Sequence, residues 1–460
     1  MEHLKTASPT IDDVEDVLSK IEVYLQQMKI NLNRTHEVEK TYFKNGDGPI
    51  HIQRLQEVAN HLKTIYRHLP QFTSGDPFQV LHGVAGIVSS VSSFTGLGGP
   101  AVPAICGVLS KVFTAFGGTK ITIAEVVENE IRRTFSGHSN ETLLEEAEDL
   151  HLMYRFAFDF LNPASEKSNF TEHDITNMNI QMNVFQGVTF LRKLGKLIKE
   201  LAKEHEDTHP NKKIEKAKKA MDFIELYIKL ALLRDMLLLH FYAIINSTTH
   251  SHYLAGGVQR VLGSFDEQDR AALGLFLKPT KEYVYIVSYV KEEECELLLK
   301  FLDQKKLTPD HSWLAHGEFE LYSQKWPTYH ATRMTAHRSF FGNGDLRFIR
   351  GTYDSVGPES LFCFKQIEEK RNCFYITQGR KLDELICMTK GPNRWVMSLK
   401  DGPKHQCEWK VIQMDNGNYV FSPRVFPDYF MGMTKLLDGS VAGFLGGYNE
   451  QSHWTLRASD

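Results

Sequence analysis

The residues whose spacing most resembles a catalytic motif are His205, Glu206, Asp207, Thr208 and His209. They match the His-Glu-x-x-His pattern, in which two imidazoles on one helix face hold zinc and the glutamate activates a water. Their surroundings argue against that chemistry. Pro210 follows at once and disfavours helical backbone at His209. Lys203, Glu204 and Asp207 mark a solvated helix end, and no third ligand stands at a recognisable spacing. His250, His252 and the other histidines form no ligand pattern. No Gly-x-Ser-x-Gly elbow or P-loop is present, and Gly96-Leu97-Gly98-Gly99 lacks a phosphate-binding lysine. The expectation is a protein that is not an enzyme, with no catalytic residue, no metal and no cofactor.

The segment without charge is more informative. Pro77 to Ser110 contains no Asp, Glu, Lys or Arg, and Gly96 to Pro100 splits it into two apolar arms. The first arm carries Phe78, Val80, Leu81, Val84, Ile87, Val88, Val91 and Phe94. The second carries Val102, Ile105, Val108, Leu109, Val112, Phe113 and Phe116, with Lys111 near its far end. As a helix each arm spans about 25 Å, against a bilayer core of about 30 Å. Local thinning or a snorkelling Lys111 closes that gap. The arms are rich in Gly, Ala and Ser, and Ala85, Ser89 and Ser93 recur every four residues, an interval that lets helix backbones approach closely in lipid. Two structures satisfy this composition: a core hairpin that stays in its bundle, and a hairpin that exchanges protein neighbours for lipid.

Elements that could carry such a hairpin precede and follow it. Val14, Leu18, Ile21, Leu25, Met28 and Leu32 form one helical stripe; Ile52, Leu55, Val58, Leu62 and Ile65 form another, ending near Pro70. Further stripes are Val126, Val127 and Ile131; Leu143, Leu144, Ala147 and Leu150; and Phe185, Val188, Leu191, Leu194, Ile198 and Leu201. Met221 to Asn246 is apolar around most of its circumference, so it must be wrapped by helices or lipid. Its charges, among them Asp222, Glu225, Lys229, Arg234 and Asp235, favour helices, which makes it the central helix of a bundle. Lys212, Lys213, Lys216, Lys218 and Lys219 read as a solvated face at its start.

From about residue 316 the runs become short, β-branched or aromatic, separated by turns such as Gly342-Asn343-Gly344-Asp345, Gly391-Pro392-Asn393 and Asp415-Asn416-Gly417. Met334-Thr335, Met388-Thr389 and Met433-Thr434 recur. Strands are expected at Leu346–Arg350, Trp395–Leu399 and Ser440–Leu445. Gln406 and Gln451 each stand three residues before a tryptophan, Trp409 and Trp454, with Phe364 in that place in the first unit. Three units of about 45 to 50 residues fit a β-trefoil, whose symmetry closes a small barrel and hides its edges; the alternative is three chance similarities inside an ordinary sandwich. Trp409 and Trp454 are expected in its core. Trp326-Pro327-Thr328-Tyr329 is echoed by Phe426-Pro427-Asp428-Tyr429. These turns make Trp326, Tyr329, Phe426, Asp428 and Tyr429 the candidate receptor contacts. The reading is therefore an α+β multidomain chain. A helical membrane-inserting bundle covers 1–254, and a connector with helices and a short strand, Tyr283–Tyr289, covers 255–315. A β-trefoil-like recognition domain covers 316–460.

Composition sets bounds. The chain has 460 residues, with 53 Lys and Arg against 57 Asp and Glu, for a formal net charge of -4. That excludes a nucleic-acid footprint. Cys106, Cys295, Cys363, Cys373, Cys387 and Cys407 contain no Cys-x-x-Cys pair, so a zinc site or disulfide-dense scaffold is not indicated, although one or two bridges fit the last third without an assignable pairing. Met1 to Lys20 is polar and acidic and does not read as a signal peptide, so the chain is expected to be cytosolic or a mature form. Sequons at Asn33, Asn140, Asn169 and Asn246 are compatible with secretion.

Three stretches carry a family resemblance: Ser74 to Phe78 leading into the hairpin, Asp222 to Leu238, and Phe426 to Met433 followed by Gly447 and Trp454. In this order they resemble the jellyfish pore-forming toxins, from about residue 50 to the end. The resemblance implies a secreted, haemolytic nematocyst toxin whose N-terminal bundle is similar to the pore domain of insecticidal crystal toxins. It also implies that the protein docks on the target-cell bilayer, through a surface glycan or lipid headgroup, and assembles into a homo-oligomer. The alternative is a non-lytic carbohydrate-binding protein on a static helical scaffold.

Overall fold

The computed structural model describes residues 128, 131–136, 141–165, 171, 173–174, 176–177, 180, 188–203, 210–246, 252–291 and 295–459, apart from 338–344, 354–355, 369, 380, 391–393, 401, 435–440 and 446–449. The apolar hairpin from Phe78 to Phe116, the stripes before residue 128, and His205 to His209 lie outside them. The chain divides into two compact units. One takes its described residues from 128–194 and from Ile224–Asp269; the other comprises Gly195–Phe223 and Arg270–Asp460.

The first unit is helical. Helix α1 is Glu141–Ser165, α2 is Val188–Ala202, α3 is Pro210–Asn246 and α4 is His252–Leu273; the first unit takes α1 whole and, of the other three, residues 188–194, 224–246 and 252–269. Along α1 the predicted stripe faces inward at Ala147 and Leu150, which are buried, while Leu143 and Leu144 are half-buried; Tyr154 and Ala157, buried further along, continue it. Helix α3 starts at Pro210, a position where a missing N–H costs nothing. From Leu226 to Asp235 every side chain of α3 is buried, on all sides of the helix.

Three of those buried side chains carry charge: Lys229, Arg234 and Asp235. Arg234 lies 2.7 Å from Asp235 and 2.9 Å from Asp269 of α4, all essentially inaccessible to water. The Tyr227 hydroxyl donates to the other oxygen of Asp269 at 2.8 Å, and the guanidinium sits 4.0 Å above the Phe265 ring. Burial opposes the Arg234 charge, but the two carboxylates outweigh it and hold its pKa above the ordinary value. Burial, reinforced by Asp269, likewise raises the Tyr227 phenol. The sequence expectation that these charges require protein neighbours is met by this cluster.

The second unit holds helices α5, Val284–Tyr289, and α6, Glu296–Gln304, and then twelve strands. The strands are β1 Glu318–Ser323, β2 His330–His337, β3 Asp345–Thr352, β4 Leu361–Gln366, β5 Cys373–Gln378 and β6 Lys381–Met388. They continue as β7 Val396–Lys400, β8 Glu408–Gln413, β9 Tyr419–Pro423, β10 Tyr429–Met433, β11 Val441–Leu445 and β12 Trp454–Ala458. Six of them close a ring: β1 pairs with β4, β4 with β5, β5 with β8, β8 with β9, β9 with β12, and β12 with β1. The remaining strands pair as hairpins β2–β3, β6–β7 and β10–β11. Each consecutive group of four strands thus repeats one pattern. The expected strands at Leu346–Arg350, Trp395–Leu399 and Ser440–Leu445 fall on β3, β7 and β11.

Two sequence readings are corrected here. Tyr283–Tyr289 is helical and not a strand. Its run of Val, Ile and Tyr favours extended backbone, but the tertiary setting rewards a helix. Lys410 of β8, itself buried, donates from Nζ to the carbonyls of Val287 and Val290 at 2.7 Å each, capping the negative end of α5. Ser288 Oγ donates to Tyr285 O at 2.7 Å and lies 2.9 Å from Pro427 O. The second correction concerns the tryptophan position. Trp409 stands opposite Phe374, Trp454 opposite Tyr419, and Phe362 opposite Phe319. The equivalent of the two tryptophans is therefore Phe362. Phe364, two residues on, fills the barrel centre, stacked 5.9 Å from Phe421 and edge-on to Phe319 and Phe374.

Trp409 and Trp454 are fully buried, as expected. Their indole N–H groups donate to Ile386 O at 2.7 Å and Met431 O at 2.9 Å, the same bond in two units. A second polar tie joins two hairpins. Buried Glu384 accepts from Arg333 at 2.9 Å, from Ser398 Oγ at 2.9 Å, and from Arg347. It links β2, β3, β6 and β7. A disulfide joins Cys387 of β6 to Cys407 just before β8.

Candidate functional site

The candidate receptor contacts lie on two equivalent loops of the β-unit. Each loop reads aromatic-Pro-x-Tyr. Proline at the second position presets φ for a tight turn, and in both loops the tyrosine N–H closes it. Tyr329 N donates to Trp326 O at 2.8 Å, and Tyr429 N donates to Phe426 O at 2.9 Å. The same sequence logic thus builds the β1–β2 and β9–β10 loops. In each, the two aromatic side chains are half-buried and lean on the barrel core. The corresponding loop of the middle unit, β5–β6, holds Gly379 at φ 39°, where a Cβ would come within 2.8 Å of Pro358 O. Only a glycine fits there, and that loop carries no aromatic pair.

The structure brings Trp326 and Tyr329 together in one loop, and Phe426, Asp428 and Tyr429 in the other. Beside the first, the Tyr329 ring meets Tyr353 edge-on at 5.6 Å, and Tyr353 is 72% exposed. Beside the second stands a residue that sequence reasoning missed. The guanidinium of Arg394 lies 3.9 Å above the Phe426 ring and 4.8 Å from the Tyr429 ring. Phe426 and Tyr429 meet at 6.4 Å with planes nearly perpendicular, which gives the cation two ring faces. Cation–ring contacts of this kind contribute about 0.5–2 kcal/mol.

Arg394 reaches this position with a left-handed backbone, φ 45°, at a cost on the order of 1–3 kcal/mol for a residue with a Cβ. Asp428 is half-buried in the same loop. Burial pushes its carboxyl above the ordinary value, and Arg394 works against that rise. Trp395, next in sequence, is 36% exposed. Gly391-Pro392-Asn393, which the sequence marks as a turn signal, lie outside the described residues, and nothing in the sequence marked the arginine after them as the partner of a loop more than thirty positions away.

Other chemistry is thin. Among the described residues no group of His, Cys, Asp and Glu could hold a metal ion. Among the described residues no helix is long and apolar enough to cross a membrane. The expected zinc decoy at His205 and His209 and the membrane-inserting positions lie outside the described residues.

The fold and the two loops define a class of protein with a helical unit and a β-unit that bears paired aromatic turns. Residues 7–268 match the family model described as the CaTX-A toxin domain, more than half of the chain. The chain belongs to this family of jellyfish toxins. It is similar to Toxin CfTX-A of Chironex fleckeri, 24% identical over 96% of this chain and 94% of that protein. It is also similar to Toxin CqTX-A of Chiropsoides quadrigatus, 22% identical over 85% of this chain and 82% of that one. Among solved structures, a Polyporus squamosus lectin bound to a sialylated epitope aligns with 31% of this chain and 49% of its own, at a TM-score of 0.26 and 12% identity.

Proposed function

We propose that this protein is a secreted pore-forming cytolysin that acts on target-cell membranes, with a β-trefoil recognition domain at its C-terminal end. The observation that carries the reading is membership of a toxin family over most of the helical region, the region that holds the uncharged hairpin. The β-domain has the strand ring and three hairpins that a trefoil requires. In this reading the domain docks on a surface glycan or lipid headgroup. Phe78 to Phe116 then leaves the bundle for the bilayer, and several copies assemble into a homo-oligomer. The driving force is burial of apolar surface, about 25 cal/mol per Å², and no covalent step or cofactor takes part. Storage in the nematocyst follows from the family resemblance.

Dye release from liposomes, with haemoglobin release from red cells beside it, tests the reading. Leakage at micromolar protein is expected. Intact vesicles and intact cells at that concentration would reject it, and glycan binding without lysis would favour the non-lytic carbohydrate-binding alternative.

A further inference from the structure

We propose that Arg394, Phe426, Asp428 and Tyr429, flanked by Trp395, form a subsite for an acidic sugar, a pyranose bearing a carboxylate. The proposal rests on the recognition role given above to the β-domain and names its ligand class. Three observations on the site lead to it.

The first is unspent donor capacity. Arg394 makes no hydrogen bond and no ion pair among the described residues, although it is half-buried and held against two rings. Stacking occupies the face of a guanidinium and leaves its N–H edge free, the edge that binds a carboxylate in a bidentate fork. The second is an unspent acceptor. Asp428 makes no hydrogen bond among the described residues and sits partly out of water on the same loop. A half-buried carboxylate without donors is unfavourable, and the hydroxyls of a sugar ring supply donors. The third is backbone strain. The left-handed conformation of Arg394 serves no turn that glycine would not serve better, and its result is to set the guanidinium over Phe426.

Together the groups ask for a ligand with a carboxylate for Arg394, hydroxyl donors for Asp428 and an apolar C–H face for the exposed part of Trp395. A bare phosphodiester offers no donor to Asp428 and no apolar ring face to Trp395. A neutral hexose leaves the guanidinium unanswered. An acidic sugar satisfies all three demands.

The test uses the full chain and three probes: sialyllactose, its methyl ester and lactose. Sialyllactose is expected to bind about tenfold or more tightly than the other two, since a charge-assisted pair is lost in both. Arg394→Gly removes the guanidinium and also relieves the left-handed backbone, so the variant is expected to fold with an unchanged or higher melting temperature. It should bind sialyllactose no better than its methyl ester. Sugar binding is read by itself, in the absence of any membrane, and dye release is read separately on the parent chain, so failure of the pore reading and failure of the sugar site are told apart. Equal binding of the three sugars overturns the proposal, as does no binding of any at millimolar concentration. Unchanged affinity of Arg394→Gly, or equal competition by phosphatidylserine vesicles, overturns it too.

Discussion

Replacing Asp269 by Ala tests how the helical unit tolerates charge in its core. Asp269 is fully buried; one oxygen accepts from Arg234 at 2.9 Å and the other from the Tyr227 hydroxyl at 2.8 Å. Without it, Arg234 retains Asp235 alone, and the tyrosine hydroxyl loses its acceptor. Removing one partner from a buried ion pair costs about 3–5 kcal/mol, and an orphaned buried hydroxyl adds about 1–3 kcal/mol. The terms overlap, so the expected loss is at least about 3 kcal/mol, a large share of the about 5–15 kcal/mol that holds a domain together. A chain of two units need not unfold in one step, so the loss is best read locally. Hydrogen exchange of full-length protein should accelerate on peptides from Ile224 to Asn246 and from His252 to Asp269 by about a hundredfold or more, at 1.4 kcal/mol per tenfold. The triple replacement Arg234→Met, Asp235→Leu, Asp269→Leu should cost far less than the single one, because it removes the desolvated charges together. Protection in Asp269→Ala within tenfold of the parent would refute the reasoning.

Three further outcomes follow from the same kind of argument. Ile87→Asp or Val91→Asp should abolish dye release while circular dichroism still reports a folded chain; unchanged leakage would move the inserting element elsewhere. Lys410→Met should lower the stability of the β-unit by about 2–4 kcal/mol, since the carbonyls of Val287 and Val290 lose their donor, as measured by urea unfolding followed at the buried tryptophans. Burial lowers the His311 pKa from 6.5 to about 4, and its Nε2 has no hydrogen-bond partner among the described residues. The unfolded chain therefore binds the proton that the folded chain refuses. The contribution is complete above about pH 6.5 and is lost as pH falls toward 4. His311→Gln should flatten the stability curve across that window, and an unchanged slope would assign the acid sensitivity to other groups.

Much of the architecture could be read from the chain because it depends on local periodicity. The apolar circumference of Met221 to Asn246 demanded burial wherever the helix went, and from Leu226 to Asp235 α3 is buried on every side. The spacing of the Met-Thr pairs and of Trp409 and Trp454 set the repeat, because each unit makes the same inward-facing pattern. The two aromatic-Pro-x-Tyr turns also needed only their own residues, since proline and one i to i+3 bond close each of them.

Tertiary structure decided what depends on partners far away in sequence. Tyr283 to Tyr289 became α5 because Lys410, a hundred and twenty residues on, satisfies its last carbonyls. Phe362 replaced Phe364 as the counterpart of the tryptophans because register is set across strands and cannot be counted along one. Cys387 and Cys407 paired because β6 and the start of β8 meet. Arg394 joined Phe426 and Asp428 because a ring of strands brought two loops side by side. Periodicity is carried by neighbours in the chain, so one sequence can display it; pairing is a property of distance in space, which one sequence does not contain.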